Sequence, residues 1–382
     1  MIQFKMQKIF LIALGIIIAL LLIVIVNTLT NSSRQINMAS IEGISVDSQK
    51  AAERLSLAIK LKTISHQKTE AFIAEPFLQL IDLISDTFPK VEANLEKKVI
   101  NHYSLLYKWS GRNSSLKPVI FLAHLDVVPP ETESEWRYPP FMGTIADGYI
   151  WGRGTLDDKS SVFGVLEAVE HLISQGFVPN RTIYLAFGHD EEIGGKQGAA
   201  AIAQYLKQQG VNSLFTLDEG MVILDENLSP AQKVTAIIGV AEKGYVTLKL
   251  NARAEGGHSS MPAKVSAVGL LANAITALEE NQLPSTLSGA SGKMFDFIGP
   301  EMGFAKRILF ANRWLFGDLI ISILEEKKTT AAMVRTTTAV TMVSGGVKEN
   351  VLPSQASAVA NFRILPGSSS KDVLNHARKV IA

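Results

Sequence analysis

Hydrophobic residues first gather in one unbroken block. From position 9 to 26 no charged side chain interrupts the run, and at about 1.5 Å per helical residue these positions reach roughly 27 Å, close to the roughly 30 Å hydrocarbon core of a bilayer. Lys5 and Lys8 precede the run and only Arg34 follows it closely. The bias of basic residues toward the cytoplasmic side therefore predicts a cytoplasmic N-terminus and an outward-facing remainder. The run exceeds the about 7–15 apolar residues usual in a signal peptide, and the NTLTNSS that follows carries no small-residue cleavage pattern. Residues 1–34 are accordingly expected to form an uncleaved signal anchor, a single-pass transmembrane helix.

The pattern then loses its density. Residues 27–47 are polar and aperiodic, as in a tether, while 51–64 and 76–87 carry apolar residues at helical spacing. Residues 99–109 and 119–123 read as strands separated by the turn-forming GRNSS, and a helical pattern over 162–173 is followed by strands over 182–187 and 213–217. Strand and helix in alternation predict an α/β domain with a doubly wound sheet, placed at 45–242. Beyond 242 the rhythm changes. A strand over 244–253, a helix over 265–278, strands over 336–343 and 356–365 and a helix over 371–381 give the order β-α-β-β-α. That is a ferredoxin-like unit without its last strand, over 243–382. Inside it, 294–324 is rich in Phe, Trp and Leu. This insertion reads as a pair of packed helices enlarging the domain, with a sharper alternative in which its apolar faces line an acyl pocket or touch the membrane.

Composition narrows the chemistry. The 382 residues hold 47% hydrophobic side chains, a net charge of +1 and no cysteine. Two domains fit that length, and near-neutrality gives no electrostatic case for nucleic acid. Lack of cysteine excludes disulfides, thiolate zinc sites and thiol nucleophiles together. Any metal must be held by His and carboxylates, a set that suits zinc, manganese or cobalt.

Such residues stand at the ends of the predicted strands. VIFLAHLDVVP, from 119 to 129, closes a buried strand with His124 and Asp126, and their i, i+2 relation puts the Asp126 carboxylate where it can accept a ring N–H of His124. WGRGTLDDKSS sets Asp157 and Asp158 in a glycine-bearing turn before a helix. GHDEEIGG places three acids after the next strand, and the last strand ends in Asp218 and Glu219. Taken singly, each reads equally well as a core histidine, a helix N-cap or a charged surface turn. Together they recur at the carboxyl ends of strands about one βαβ unit apart, where such sheets build sites. One imidazole and several carboxylates could hold two divalent ions with one carboxylate bridging.

HLDVVP, WGRGTLDDK, GHDEEIGG and TLDEG, in that order, resemble the aminoacylase and carboxypeptidase family of di-zinc metallopeptidases. GHSSMP, FANRWLFG, VRTTTAVTMVSGGVKENVLP and NFRILPG resemble its branch containing vacuolar carboxypeptidase S and the N-fatty-acyl-amino-acid synthase/hydrolase. The resemblance implies a zinc-peptidase-like α/β catalytic domain with an inserted ferredoxin-like α+β lid, through which a homodimer can form. It implies that Asp157 bridges two zinc ions, that His124 and Asp218 bind one each, that Glu192 adds a ligand and that Glu191 is the general base, with Asp126 supporting His124. In the lid, His258 resembles the histidine that steadies the oxyanion, and Asn350 and Arg363 resemble residues holding the substrate carboxylate. The implied substrates are N-acyl amino acids or short peptides with a free carboxylate. The family's last zinc-binding histidine matches none of the seven here and is expected beyond Ala382, with His189 as the fallback. A binding protein that keeps the fold without turnover is the competing class; retention of Glu191 and Asp157 favours the enzyme.

Overall fold

The computed structural model describes residues 2–36, 38–39, 43, 45–66 and 71–381. The chain divides into two compact units, Ser40–Gly220 and Met1–Ala39 with Met221–Ala382. Its first helix, α1 (Ile2–Thr30), contains one span, Phe4–Thr30, long and apolar enough to cross a membrane by length and composition. The helix continues through 27–30, which the pattern assigned to a tether. The side chains of Thr28 and Thr30 donate back to the carbonyls of Val24 and Val26 at 2.7 and 2.8 Å, so polar residues extend the helix without exposing its ladder. Of the remaining tether, residues 37, 40–42 and 44 lie outside the described residues.

In the Ser40–Gly220 unit, α2 (Ser48–Ile59) starts where Asp47 accepts the Lys50 N–H, a helix N-cap. Helix α3 (Glu75–Thr87) has Pro76 in its first turn and buries Phe77, Leu80, Ile81 and Ile84, the i, i+3, i+4, i+7 face of an amphipathic helix. After α4 (Pro89–Asn94) come β1 (Glu96–Ile100) and β2 (Ser104–Trp109). The single strand expected at 99–109 is thus the second half of an antiparallel hairpin, because Asn101 and His102 take left-handed backbone angles (φ 46° and 70°) and reverse the chain. Then follow β3 (Val119–His124), the small hairpin β4 (Thr144–Ala146) and β5 (Tyr149–Trp151), α5 (Lys159–Ser174), β6 (Ile183–Gly188), α6 (Ala199–Gln208) and β7 (Thr216–Leu217).

The five-stranded sheet runs β1-β2-β6-β3-β7. Strand β3 pairs in parallel with β6 and with β7, whereas β2 pairs antiparallel with β6. The sheet is therefore mixed, its parallel part being the three strands that carry candidate ligands. Both faces are covered. Leu105, Tyr107, Leu185 and Phe187 pack with Val162, Phe163 and Leu166 of α5, while the alternate residues Leu106 and Ala186 pack with Ile202 and Leu206 of α6.

The other unit continues with β8 (Ile223–Leu224), β9 (Thr235–Ala236), β10 (Gly244–Arg253), β11 (Gly257–His258) and α7 (Ala267–Glu280). A run of helices follows: α8 (Gly289–Ile298), α9 (Phe304–Ala311), α10 (Arg313–Glu325) and α11 (Lys328–Val334). The unit closes with β12 (Thr337–Gly345), β13 (Val351–Leu352), β14 (Gln355–Ile364) and α12 (Ser370–Ile381). The antiparallel sheet β10-β14-β12 buries one face against α7 and α12 through Ala360, Phe362, Ile364, Leu278, Val373 and Ala377. Its opposite face is polar along β10, with Thr247, Lys249 and Asn251 outward.

Candidate metal centre

Register places the site. His124 pairs with Gly188 across β3 and β6, and Phe121 with Leu217 across β3 and β7. The segments 124–126, 188–192 and 218–219 consequently leave the sheet at one edge. The fourth segment arrives through a turn closed by Lys159 N–H on the Gly154 carbonyl at 3.0 Å. Gly154 has φ +82°, and a Cβ there would lie 2.5 Å from Val127 Cγ1, so the turn requires glycine on both counts. Asp157 and Asp158 sit on it, joined by a cis peptide.

The structure brings His124 Nε2 to 2.9 Å from Asp157 Oδ1 and 4.0 Å from Glu191 Oε2. Ligand atoms of His124, Asp157 and Glu219 all lie within 4.8 Å of one another. A cavity of about 300 Å³ beside them is lined by His124, Glu191, Asp218 and Leu122, among others. Glu219 is the residue that the sequence reading left without a role. TLDEG offered two adjacent acids, and only the family pattern chose Asp218, whose carboxylate here accepts the Glu219 N–H at 2.9 Å.

Behind the cavity, Asp126 is fully buried and takes donors from three sides. It accepts the Ser65 hydroxyl at 2.6 Å and the Glu191 and Glu192 N–H groups at 3.0 and 3.1 Å. His124 Nδ1 stands 3.0 Å from the Asp126 backbone carbonyl and 3.3 Å from its carboxylate. The expected ring contact is present but shared with the main chain, and it leaves Nε2 facing the acids. Burial alone would raise the Asp126 carboxyl, but the hydrogen bonds from His124 and Ser65 and the His124 charge more than offset it and hold it below the usual value.

The other acids are pushed upward. Burial first, then neighbouring carboxylates, raise Glu191 and Glu192 above the ordinary glutamate range, and burial with Asp158 and Asp157 brings Glu219 up to about 7. Burial disfavours the His124 imidazolium, yet Asp126, Asp158 and Asp157 outweigh it and push the ring up to about 10. Among the described residues, the buried Asp158 Oδ1 has no hydrogen-bond partner. Seven carboxylates around one imidazole, with an unpartnered oxygen among them, select for added positive charge. The donor set fits a divalent cation.

Not every acid in the motif faces this centre. Asp190 is buried and accepts the Gln197 and Gly198 N–H groups at 2.8 and 2.7 Å, folding the 188–198 loop back on itself. Of the three consecutive acids, one is thus spent on backbone. His189 turns toward Ser104, its Nδ1 2.6 Å from the hydroxyl, and packs against Tyr103 and Phe77. It is an interior histidine whose Nδ1 is engaged by that hydroxyl. In the other unit, His258 pairs with Val351 across β11 and β13, and the Ser259 N–H donates to the Asn350 carbonyl at 3.1 Å, so His258 and Asn350 share a neighbourhood. Arg363 does not join them. It lies eight positions along β14 from Gln355, roughly 26 Å at strand rise, with its guanidinium over the Tyr245 ring at 4.9 Å.

Comparison with known proteins decides the ancestry. The profile of peptidase family M20/M25/M40 matches residues 120–310, and that of the peptidase dimerisation domain matches 240–382. A probable carboxypeptidase S-like protein of Dictyostelium discoideum is 43% identical over 99% of this chain and 74% of its own length. The chain belongs to the M20 peptidase family. An N-fatty-acyl-amino acid synthase/hydrolase of Homo sapiens is 38% identical over 86% of this chain and 66% of its own, and carboxypeptidase S of Saccharomyces cerevisiae is 31% identical over 86% and 60%. The chain therefore spans roughly 60 to 74% of the length of these relatives. An M20 family metallo-carboxypeptidase from Sulfolobus solfataricus shares the fold, with a TM-score of 0.56 at 21% identity over 87% of this chain and 75% of that one. Human carnosine dipeptidase 1 does so with 0.54 at 13% identity, over 87% and 73%.

Proposed function

We propose that this chain carries the catalytic centre of a metal-dependent amidohydrolase cleaving N-acyl amino acids or short peptides with a free carboxylate. One observation supports the reading most directly: His124, Asp157 and Glu219 converge at the edge of the parallel strands, with Glu191 beside them. His124, Asp157, Glu192 and Asp218 are the proposed holders of two divalent ions, zinc by the family resemblance, with manganese or cobalt equally suited to the donors, and Glu219 is added by the geometry. Bound there, the ions would supply Lewis acidity toward a carbonyl and acidify water.

The chain's own part is positioning and proton transfer. Asp126 fixes His124 and, through two peptide N–H groups, the turn bearing Glu191 and Glu192. Glu191, raised by burial above the usual glutamate range, is a stronger proton acceptor than a free glutamate. As water oxygen bonds to the acyl carbon, Glu191 takes one water proton and returns it to the amide nitrogen, which leaves as the amine. His258 as oxyanion donor and Asn350 as a carboxylate holder complete the proposal; Arg363, the other expected carboxylate holder, is left out of it because β14 carries it away from Asn350 and over the Tyr245 ring. The names of the relatives support both substrate classes. The length of α1 and the placement of Lys5 and Lys8 support a signal anchor with the centre outside the cytoplasm, and the dimerisation domain supports a homodimer.

The test is Glu191→Gln against Asp157→Ala, with metal content and turnover on dipeptides and long-chain N-acyl amino acids. Glu191→Gln should retain metal and lose about two to four decades in kcat, whereas Asp157→Ala should lose metal as well. A metal-free or fully active Glu191→Gln protein defeats the assignment.

A further inference from the structure

The helices α8–α10 are fastened to the end of α1. Asn312, fully buried between α9 and α10, donates from Nδ2 toward the Val24 carbonyl and the Thr28 hydroxyl, both at 3.2 Å, and its Oδ1 accepts from Asn27 Nδ2 at 3.0 Å. Arg307, earlier on α9, donates to the Asn31 carbonyl at 2.6 Å, and Gln35 donates to the Phe297 carbonyl of α8 at 3.1 Å. Helix α9 therefore runs antiparallel to α1, from the level of Asn31 down to that of Val24. The apolar run of α1 ends at Val26. Asn312 thus reaches to the last apolar turn, below Asn27, the first polar residue after that run.

Whatever adjoins Asn312 lies at that depth. Trp314 follows two residues later and is 58% exposed. Leu315, Leu319 and Ile323 are exposed too, at i, i+4 and i+8 along α10, and so form one outward stripe. The one charge inside that stretch is Asp318, while Arg313 is paired with Asp296, which also lies 3.7 Å from Arg34. In water an outward Trp-Leu-Leu-Ile stripe is an unpaid exposure of apolar surface. At the edge of a bilayer it is an interfacial helix with a tryptophan anchor.

We propose that α8–α10 form a bilayer-docking element, with lipid covering the stripe Leu315, Leu319 and Ile323 and Trp314 set at the headgroup boundary. The proposal rests on α1 spanning the membrane. The exposure of Trp314 and Leu315 also argues against the alternative expectation of an acyl pocket walled by this insertion. Held this way, the domain bearing His258 and Asn350 is tied to the membrane surface by a second attachment besides the span.

The full-length protein and its Trp314→Phe variant, reconstituted in nanodiscs, test this. Their difference spectrum isolates Trp314 from the three other tryptophans. Lipids brominated at shallow acyl positions should quench that component about twofold or more, and deep bromination less, as expected of a ring about 5–10 Å into the interface. Full quenching by aqueous acrylamide with none by brominated lipid would overturn the proposal while leaving the anchor intact. Protection from both quenchers would overturn it in favour of a protein cover such as a second copy. Failure of the wild-type chain to remain with the bilayer after alkaline extraction would overturn the anchor and this inference together, and hydrolysis measured in the same nanodiscs keeps either failure separate from that of the catalytic reading.

Discussion

Replacing Asp126 with Asn keeps the shape of the side chain and removes half of its acceptor capacity. The carboxylate receives Ser65 Oγ and the Glu192 N–H on one oxygen and the Glu191 N–H on the other, beside the His124 ring. An amide best serves this ring of donors by presenting its oxygen to Glu191 and His124 and its NH₂ to Ser65, whose hydroxyl can turn and accept. That arrangement still points N–H at N–H against Glu192. One buried donor is orphaned, which costs about 1–3 kcal/mol, and the charge assisting His124 is lost besides. Asp126→Ala strands all three donors and should cost more. Because Asp126 orients a ligand rather than being one, metal affinity should fall about 10- to 100-fold in the Asn variant. Urea unfolding in detergent and competition with a chelator read the two quantities. The pH dependence supplies a sign. A carboxyl held below its ordinary value stabilises the fold above the unfolded pKa near 3.8 and loses that contribution as pH falls through the folded value. The gap between wild type and Asp126→Asn should accordingly be widest near neutrality and close in acid. Equal unfolding midpoints at pH 7, or a gap that widens on acidification, would refute the argument.

Three further outcomes follow from the geometry. Lys159 is fully buried, with Nζ donating to the Ala58 and Leu61 carbonyls at 2.9 and 2.7 Å, so Lys159→Met should strand both and lower stability by about 2–5 kcal/mol in a denaturant titration. At Gly198 a Cβ would stand 2.6 Å from Asp190 Oδ1 and 2.8 Å from His189 N, and Gly198→Ala should cost about 1–3 kcal/mol and reduce kcat by displacing the Glu191 turn; an unchanged melting temperature would contradict this. Glu219→Gln should weaken metal binding by about tenfold or more with the fold intact, measured by isothermal titration and circular dichroism, since it removes one of three converging ligands.

What the sequence made legible was the part governed by periodicity and by abrupt change of residue type. Strand β3 and the acids after β6 and β7 announce themselves because an apolar run stops at a ligand-capable side chain, and α1 is readable because nothing charged interrupts it. The hairpin at 101–102 was missed because its reversal depends on left-handed backbone at Asn and His, with no glycine or proline to mark it. Asp190 and Glu191 are neighbours of one chemical type with opposite duties, and only the direction of the loop back to Gly198 separates them. The role of Glu219 was hidden for the converse reason: pairing of β7 with β3 carries the strand end over Asp157, a relation between residues distant in sequence that no local pattern encodes. The attachment of Asn312 to α1 is more remote still.

The order β1-β2-β6-β3-β7 has a kinetic meaning. Every strand pair that carries a ligand joins distant positions, Phe121 with Leu217 and Ala123 with Phe187, so the centre closes only after long loops have been closed. Until then the seven carboxylates lie on four separate, solvated stretches of chain, and repulsion between those stretches is absent. Their mutual repulsion is felt in the last stages of assembly, when the strand ends meet, and a divalent cation arriving at that moment would act on the late folding barrier as well as on the equilibrium. Metal concentration during refolding should therefore change the rate at which the centre closes, and substitutions in the β1–β2 hairpin, which buttresses β6 from its far side, should register as slow maturation of the centre.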